Sequence, residues 1–431
     1  MAKIDWYDKF VDFSYKPAKD DLIVLFYFEP PARMSKKESA GRIASESSTG
    51  TWTTLAKLPP RMKKLNATAF KMDGNYLRVA YPSGLWENGN MAQLLSGIAG
   101  NIFGMKGVKN LRLIDATFPQ SYLKGFRGPQ YGMKGIRKMM GVKKRPLTGA
   151  VVKPKIGFSA SEHAQIGYET WLGGFDFVKD DENLTSQKFN RFEERLKIMN
   201  RLRDKAEKLT GEKKSAFFNI TAETELMKKR AKLVADAGWD YVMIDVVVTG
   251  TSAVQTMTDY CRDLGLAIHA HRAMHASFDR NPKHGMTMQF LAKIMRVLGV
   301  NNIHTGTAVG KLVGTKPEVT AIADVLREKK TKAKKNLILD QDWGNMKTVF
   351  PASSGGLHPG LVPDVMKIYG NELVLLVSGG IHGHPKGTRE GAAATMQAID
   401  AVMEGVSLEQ KAKKNKELAG ALKKWGHHKP K

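Results

Sequence analysis

A single cysteine, Cys261, is all the thiol chemistry this chain has. No internal disulfide can form, which fits a reducing cytoplasm. Nothing catalytic surrounds Cys261, and it reads as a packing residue. No apolar run approaches the roughly 18 residues that a membrane-spanning helix needs. The stretch Met1 to Asp8 lacks the apolar core of a signal peptide. The expected location is therefore the cytoplasm, with no membrane partner. Acidic residues are also scarce: 42 Asp and Glu stand against 68 Lys and Arg, a net charge of +26. Nucleic-acid binding would want that excess as a basic stripe with aromatics to stack on bases. Here it is scattered over Lys36-Lys37, Lys143-Lys144-Arg145, Arg327 to Lys335 and Lys423 to Lys431, with no nucleic-acid motif beside it. It reads as a lysine-rich solvated surface, a small part of which steers an anionic substrate.

What is present suits a soluble globular protein: 431 residues, 42% hydrophobic and 26% charged, enough for two domains or more. Strand-like 22–28, 77–81 and 110–115 alternate with helix-like 36–45 and 91–98, and residues 100–104 form a turn. This predicts a small α+β, ferredoxin-like domain over residues 1–125. Its loop Glu46 to Thr53 carries small hydroxyls around Gly50, a weak phosphate-loop signal. The Gly-, Lys- and Pro-rich passage from Lys124 to Pro146 reads as a connection. From about residue 147, short apolar strands alternate with helices. The strands are expected at Leu147–Lys153, Phe175–Lys179, Ala216–Thr221, Tyr241–Val248, Leu266–His271, Asn302–Thr307, Thr348–Ser353 and Leu373–Ser378. Amphipathic helices fall between them, such as 187–208, 223–237, 252–264, 285–298, 316–328 and 388–404. Eight such units predict an α/β fold, a (β/α)₈ TIM barrel over residues 126–431 with a C-terminal helical tail. A doubly wound open sheet is the alternative.

In such barrels chemistry sits at the C-terminal strand ends. Those positions hold Lys153-Pro154-Lys155, Lys179-Asp180-Asp181-Glu182, Asn219-Ile220-Thr221, His269 to His275, His304 to Gly314, Ser353 to Gly356 and Ser378 to Pro385. Any one has a plain structural explanation. Together they place cations, imidazoles, carboxylates and glycine-rich loops on one mouth. The carboxylates after the second strand suit a hard divalent cation. Lys179 is the odd member, since an ammonium repels a metal; it joins such a site only as a neutral amine or with its amine capped by an acidic group. The glycine loops after strands seven and eight offer N–H groups to phosphate, and Arg272 with His304 could hold a second anion. Two anion sites across one barrel imply an elongated bisphosphate. A metal between them could stabilise an enolate, with Lys and His side chains moving protons.

These residues resemble the large subunit of ribulose-1,5-bisphosphate carboxylase/oxygenase (RuBisCO), in its archaeal form III branch. The resemblance spans about residues 20 to 425. Its specific motifs are Gly174 to Glu182, His271-Arg272-Ala273-Met274-His275-Ala276 and Gly306 to Lys311. It implies a carboxylase (a lyase) that converts ribulose 1,5-bisphosphate, CO₂ and water into two 3-phosphoglycerates through a Mg²⁺-stabilised enediolate, with O₂ competing. It implies that CO₂ caps Lys179 as a carbamate, which holds Mg²⁺ with Asp181 and Glu182 and helps remove the C3 proton. Lys153 would transfer protons with Lys155 beside it, and His271 would act at the reacting hydroxyl. Lys311 would close over the site on a mobile loop. Arg272, His304 and Ser354 would bind one end of the bisphosphate. Thr51, Trp52, Gly355, Gly356, Ser378 and Gly379 would serve the other phosphate. Glu46 and Asn101 would reach in from a neighbouring subunit, giving a homodimer or a ring of dimers with shared sites. No small subunit is expected, and the archaeal relatives imply nucleotide (AMP) salvage as the pathway.

Two positions depart from the family pattern. Val151 stands where many members have Thr, and Ser378 begins a loop that is usually Gly-Gly-Gly. The alternative within the family is a RuBisCO-like enolase or isomerase acting on another sugar phosphate. Such relatives lose some of the residues retained here. The alternative from another class is a basic nucleic-acid-binding or scaffolding protein.

Overall fold

The computed structural model describes residues 5–51, 53, 55, 57–310 and 314–429. It divides into two compact units. One is built from residues up to 128 together with 274–298 and 328–346; the other from 129–273, 299–327 and 347 onward. In chain order, β1 (Leu22–Glu29), β2 (Thr68–Asp73), β3 (Tyr76–Tyr81) and β4 (Asn110–Thr117) come first. Next are β5 (Leu147–Val151), β6 (Phe177–Lys179), β7 (Ser215–Asn219), β8 (Tyr241–Asp245) and β9 (Ala267–His271). Then come β10 (Gly285–Met286), β11 (Asn302–His304), β12 (Lys330–Thr331), β13 (Gln341–Asp342), β14 (Phe350–Ser354) and β15 (Val374–Leu376). Among the described residues no helix is long and apolar enough to cross a membrane.

The first unit is built on a sheet of order β10-β4-β1-β3-β2. β2, which the sequence reading passed over, turns tightly into β3 through Gly74, whose φ of +62° suits glycine. Ser35 caps the helix Lys36–Glu46 by accepting from the Glu38 N–H. The helix Met288–Leu298 buries Lys293 against Asp115 of β4. The basic stretch Arg327 to Lys335 contributes β12, which pairs antiparallel with β13 in this unit.

The second unit is a closed barrel of eight parallel strands, in the order β11-β14-β15-β5-β6-β7-β8-β9. The expected TIM barrel is therefore present, following an N-terminal α+β part. Every residue of β5, β7 and β8 is buried, as strands covered on both faces must be. Helices cover the outside. Ala160–Leu172 starts with a capping box between Ser159 and Glu162, and Phe192–Thr210 ends at left-handed Gly211. Neither Ala160–Leu172 nor Val362–Tyr369 was among the expected helices.

Three expectations need correction. The supposed connection Lys124 to Pro146 holds the helix Gly132–Met140. Its Met133, Ile136 and Met140 pack on Leu147, Phe177, Phe217, Tyr241, Phe350 and Val374, closing the barrel's N-terminal end. Glycine and lysine content had hidden an apolar spacing of three and four residues. The fourth strand stops at Asp245, and Val246–Thr249 coils into a short helix. The sixth and eighth strands stop at His304 and Leu376, so the residues beyond them are loops.

Candidate active site at the barrel mouth

β6 delivers the charged cluster. Lys179 is fully buried, and its Nζ donates to the Asp180 carbonyl at 2.9 Å. Burial pushes its pKa down; Glu182, Asp181 and Asp245 pull the other way without overcoming this. Asp181 Oδ2 accepts from Lys153 Nζ at 2.8 Å, and Glu182 Oε1 from Lys155 Nζ at 2.9 Å. Burial works to raise the Glu182 pKa, but His271 and Lys179 outweigh it and hold the group at about 2. Among the described residues no three His, Cys, Asp or Glu side chains form a group that could hold a metal ion. Asp181 and Glu182 supply two oxygen donors, and the next oxygen would have to come from a modified Lys179.

Asp180 faces the opposite way, into the helix layer. It accepts from Arg195 Nη2 and the Asn219 N–H, each at 3.0 Å, and lies 3.2 Å from His163 Nε2. Burial would raise its pKa, yet Arg195 and His163 hold it near about 2. The Asn219 amide donates in turn to the carbonyls of Asp181 and Glu182, at 3.3 and 3.2 Å. Asp180 and Asn219 thus clamp the backbone that carries both mouth-facing carboxylates.

His271 ends β9. Its Nδ1 lies 3.2 Å from Asp245 Oδ1 and its Nε2 3.6 Å from Glu182 Oε2. Burial and the Lys179 charge lower its pKa. His304 stacks edge-on to His271 at 4.6 Å and bonds Ser354 Oγ through Nδ1 at 2.8 Å. Its Nε2 meets His269 Nε2 at 3.0 Å. Arg272 lies beside this group: a Cβ placed on Gly306 would sit 3.5 Å from Arg272 Nη2.

Gly355 and Gly356 have φ of +111° and +74°, which only glycine adopts readily. A Cβ on Gly310 would lie 1.9 Å from the Gly355 carbonyl, so the loops after β11 and β14 approach backbone to backbone at this point. A Cβ on Gly379 would meet open space. The two departures from the family pattern meet each other: the Val151 N–H donates to Ser378 Oγ at 3.0 Å, joining the ends of β5 and β15.

The barrel thus gathers Lys153, Lys155, Lys179, Asp181, Glu182, His271, Arg272, His304, Ser354, Gly355, Gly356, Ser378 and Gly379 in one unit. Glu46 and Asn101 belong to the first unit, where both line an open depression of about 630 Å³ with Ser48 and Gln93. Thr51 is half-buried. Trp52 and Lys311 lie outside the described residues. Sequence reasoning missed Asp245, because it ran the fourth strand on to Val248 and so set Asp245 inside it. It also missed His163 and Arg195, which sit on helix faces where no motif marks them.

Residues 9–122 match the family described as ribulose bisphosphate carboxylase large chain, N-terminal domain, and residues 132–425 match its catalytic domain. The ribulose bisphosphate carboxylase of Pyrococcus furiosus is 55% identical over the whole of both chains. That of Pyrococcus abyssi is 54% identical, covering 100% of this chain and 99% of its own. A dimeric archaeal Rubisco from Hyperthermus butylicus is similar in structure, with a TM-score of 0.93, 45% identity, and coverage of 98% of this chain and 100% of that one. An octameric Rubisco from Pyrococcus horikoshii gives 0.91 and 52%, with 99% of each chain covered.

Proposed function

The chain belongs to the ribulose bisphosphate carboxylase large-chain family of enzymes, and we propose that it joins CO₂ and water to ribulose 1,5-bisphosphate, yielding two molecules of 3-phosphoglycerate, with O₂ as a competing substrate. The observation that carries the reading is the buried Lys179 amine, biased toward its neutral form, with Asp181 and Glu182 beside it. A neutral amine adds to CO₂: an N–C bond forms, the nitrogen loses a proton, and an anionic oxygen pair results. Capped in this way, Lys179 completes an all-oxygen set with Asp181 and Glu182 that fits Mg²⁺. Lys153 and Lys155 now pair with those two carboxylates, so a cation can replace ammonium groups already there. Mg²⁺ held by these residues would polarise the substrate carbonyl and stabilise the enediolate.

The chain's own groups move the protons. Capped Lys179 takes the C3 proton. Lys153, with Lys155 beside it, carries protons at the rim, and His271, set between Asp245 and Glu182, serves the reacting hydroxyl. Arg272 takes the phosphate at one end of the bisphosphate, with His304 and Ser354 beside it. The backbone of Gly355, Gly356, Ser378 and Gly379, with Thr51 and Trp52, takes the other phosphate. Lys311 closes over the new carboxylate. Glu46 and Asn101 serve a neighbouring subunit's barrel, so the active unit is a homodimer or a ring of dimers; the similar dimeric and octameric structures support this. Incubation with ribulose 1,5-bisphosphate, Mg²⁺ and labelled bicarbonate should give acid-stable label in phosphoglycerate. Absence of that label overturns the proposal.

A further inference from the structure

One buried line of hydrogen bonds leads from the barrel wall to the mouth and begins at a residue with no part in the reaction described above. Asn302 of β11 is fully buried, and its Oδ1 lies 2.9 Å from His269 Nδ1. An amide oxygen only accepts, so this nitrogen carries the proton. Burial, then Lys179 and His271, push the His269 pKa well below its ordinary value, so the ring is neutral and its Nε2 is an acceptor. His304 Nε2, 3.0 Å away, must then donate. Burial and the neighbouring histidines keep His304 neutral too, so its Nδ1 accepts. Its partner there, at 2.8 Å, is the Ser354 hydroxyl, which therefore donates inward. Ser354 is left with lone pairs to offer a ligand.

We propose that Asn302 is a positioning residue: through His269 and His304 it fixes the direction of the Ser354 hydroxyl, so that Ser354 accepts a hydrogen bond from the substrate instead of donating one. The Asn302 amide nitrogen is buried without a hydrogen-bond partner among the described residues, so the amide's bond to His269 is not one of several. Phe217 lies flat on the His269 ring, 4.3 Å away and 4° from parallel, which holds the ring plane in line with both neighbours. Without Asn302, His269 would revert to the Nε2–H tautomer that free imidazole prefers. The whole line would then reverse, and Ser354 would become a donor.

The statement about substrate rests on the carboxylase reading; the statement about tautomers does not. The test uses the full chain with ¹⁵N-labelled histidine, its resonances assigned with His269→Gln and His304→Gln. The expected result is protonated Nδ1 on His269 and protonated Nε2 on His304. Asn302→Leu should switch both tautomers and raise KM for the bisphosphate about tenfold, the scale of one hydrogen bond. The carbamate on Lys179, read by mass after trapping, should be unchanged. A wild-type His269 protonated on Nε2 overturns the proposal, and it decides the matter even if Asn302→Leu fails to fold. Tautomers that stay the same in Asn302→Leu also overturn it. A switch of tautomers with KM unmoved overturns the link to substrate. Correct tautomers in a chain that fixes no CO₂ uphold the relay and reject the carboxylase reading.

Discussion

Lys293 in the first unit and Lys179 in the second are both buried completely, and burial lowers the pKa of both. Their surroundings differ in one respect. Lys293 Nζ donates to Asp115 Oδ2 at 2.8 Å and to the Ala116 carbonyl at 2.9 Å, and the same carboxylate oxygen accepts the Leu339 N–H at 2.7 Å. Of the carboxylates near Lys179, Asp181 and Glu182 bond to other lysines and Asp245 lies against His271, and the amine's own bond goes to a backbone carbonyl. One buried amine is neutralised by a dedicated partner; the other is denied one. The first arrangement joins a strand to a helix. Under the proposed function the second leaves an amine free to add to CO₂, which one locked in an ion pair cannot do.

The sharpest way to break this contrast is Lys179→Met. Carboxylation should fall by at least about a thousandfold, as for other nucleophile deletions. The thermal midpoint should hold or rise, since an unpaired buried amine is replaced by an apolar chain of similar volume. Loss of folding instead would show that Lys179 is structural. Lys293→Met should do the reverse, costing about 3–5 kcal/mol in denaturant unfolding by stranding Asp115, with little effect on activity per folded molecule. Adding Asp115→Leu should recover most of that loss. If the double variant is no better than the single, the pair is not what the site needs.

Asp180 tests the contrast at closer range, since it adjoins Lys179 yet is paired as fully as Asp115. Asp180→Asn should cost roughly 2–3 kcal/mol at neutral pH, by weakening the buried contacts to Arg195 and His163. The folded-state pKa is depressed from 3.8 to about 2, so the ionised group's contribution is complete above pH 4 and lost as pH falls through 2. The stability gap between wild type and variant should therefore close by about 2 kcal/mol between pH 4 and pH 2. A gap that is flat with pH would mean that Asp180 is not held as an anion. The smallest effect belongs to Ser378→Gly, which restores the family's usual glycine but removes the partner of the Val151 N–H. It should cost about 1 kcal/mol, with KM for the bisphosphate shifted no more than a few-fold.

The sequence made the barrel legible through its regular alternation of buried strands and amphipathic helices, and Gly174 to Glu182 marked the charged cluster at the end of β6. Periodicity reports only local structure, however. It could not reveal that residues 274–298 and 328–346 join the first unit, because their partners are far away in the chain. It read Lys124 to Pro146 by composition and so overlooked the apolar face of Gly132–Met140. Alternation along a strand turns Asp180 to the face opposite Asp181. It did not show that Arg195 and His163 wait there, since a helix residue aimed at a strand carries no motif. Asp245 was missed because the fourth strand was expected to run on to Val248. The line from Asn302 to Ser354 crosses three strands, and no reading of one strand at a time exposes it.

The bond from the Val151 N–H to Ser378 Oγ has a consequence for how the protein is made. Its two ends are 227 positions apart in the chain. A ribosome delivers Lys153, Lys179, Asp181 and Glu182 long before Ser378 and Gly379. A chain that stops short of β15 can hold the lysines and carboxylates but cannot close the ring. The two ends of the ring can therefore meet only once β15 and Ser378 have been made.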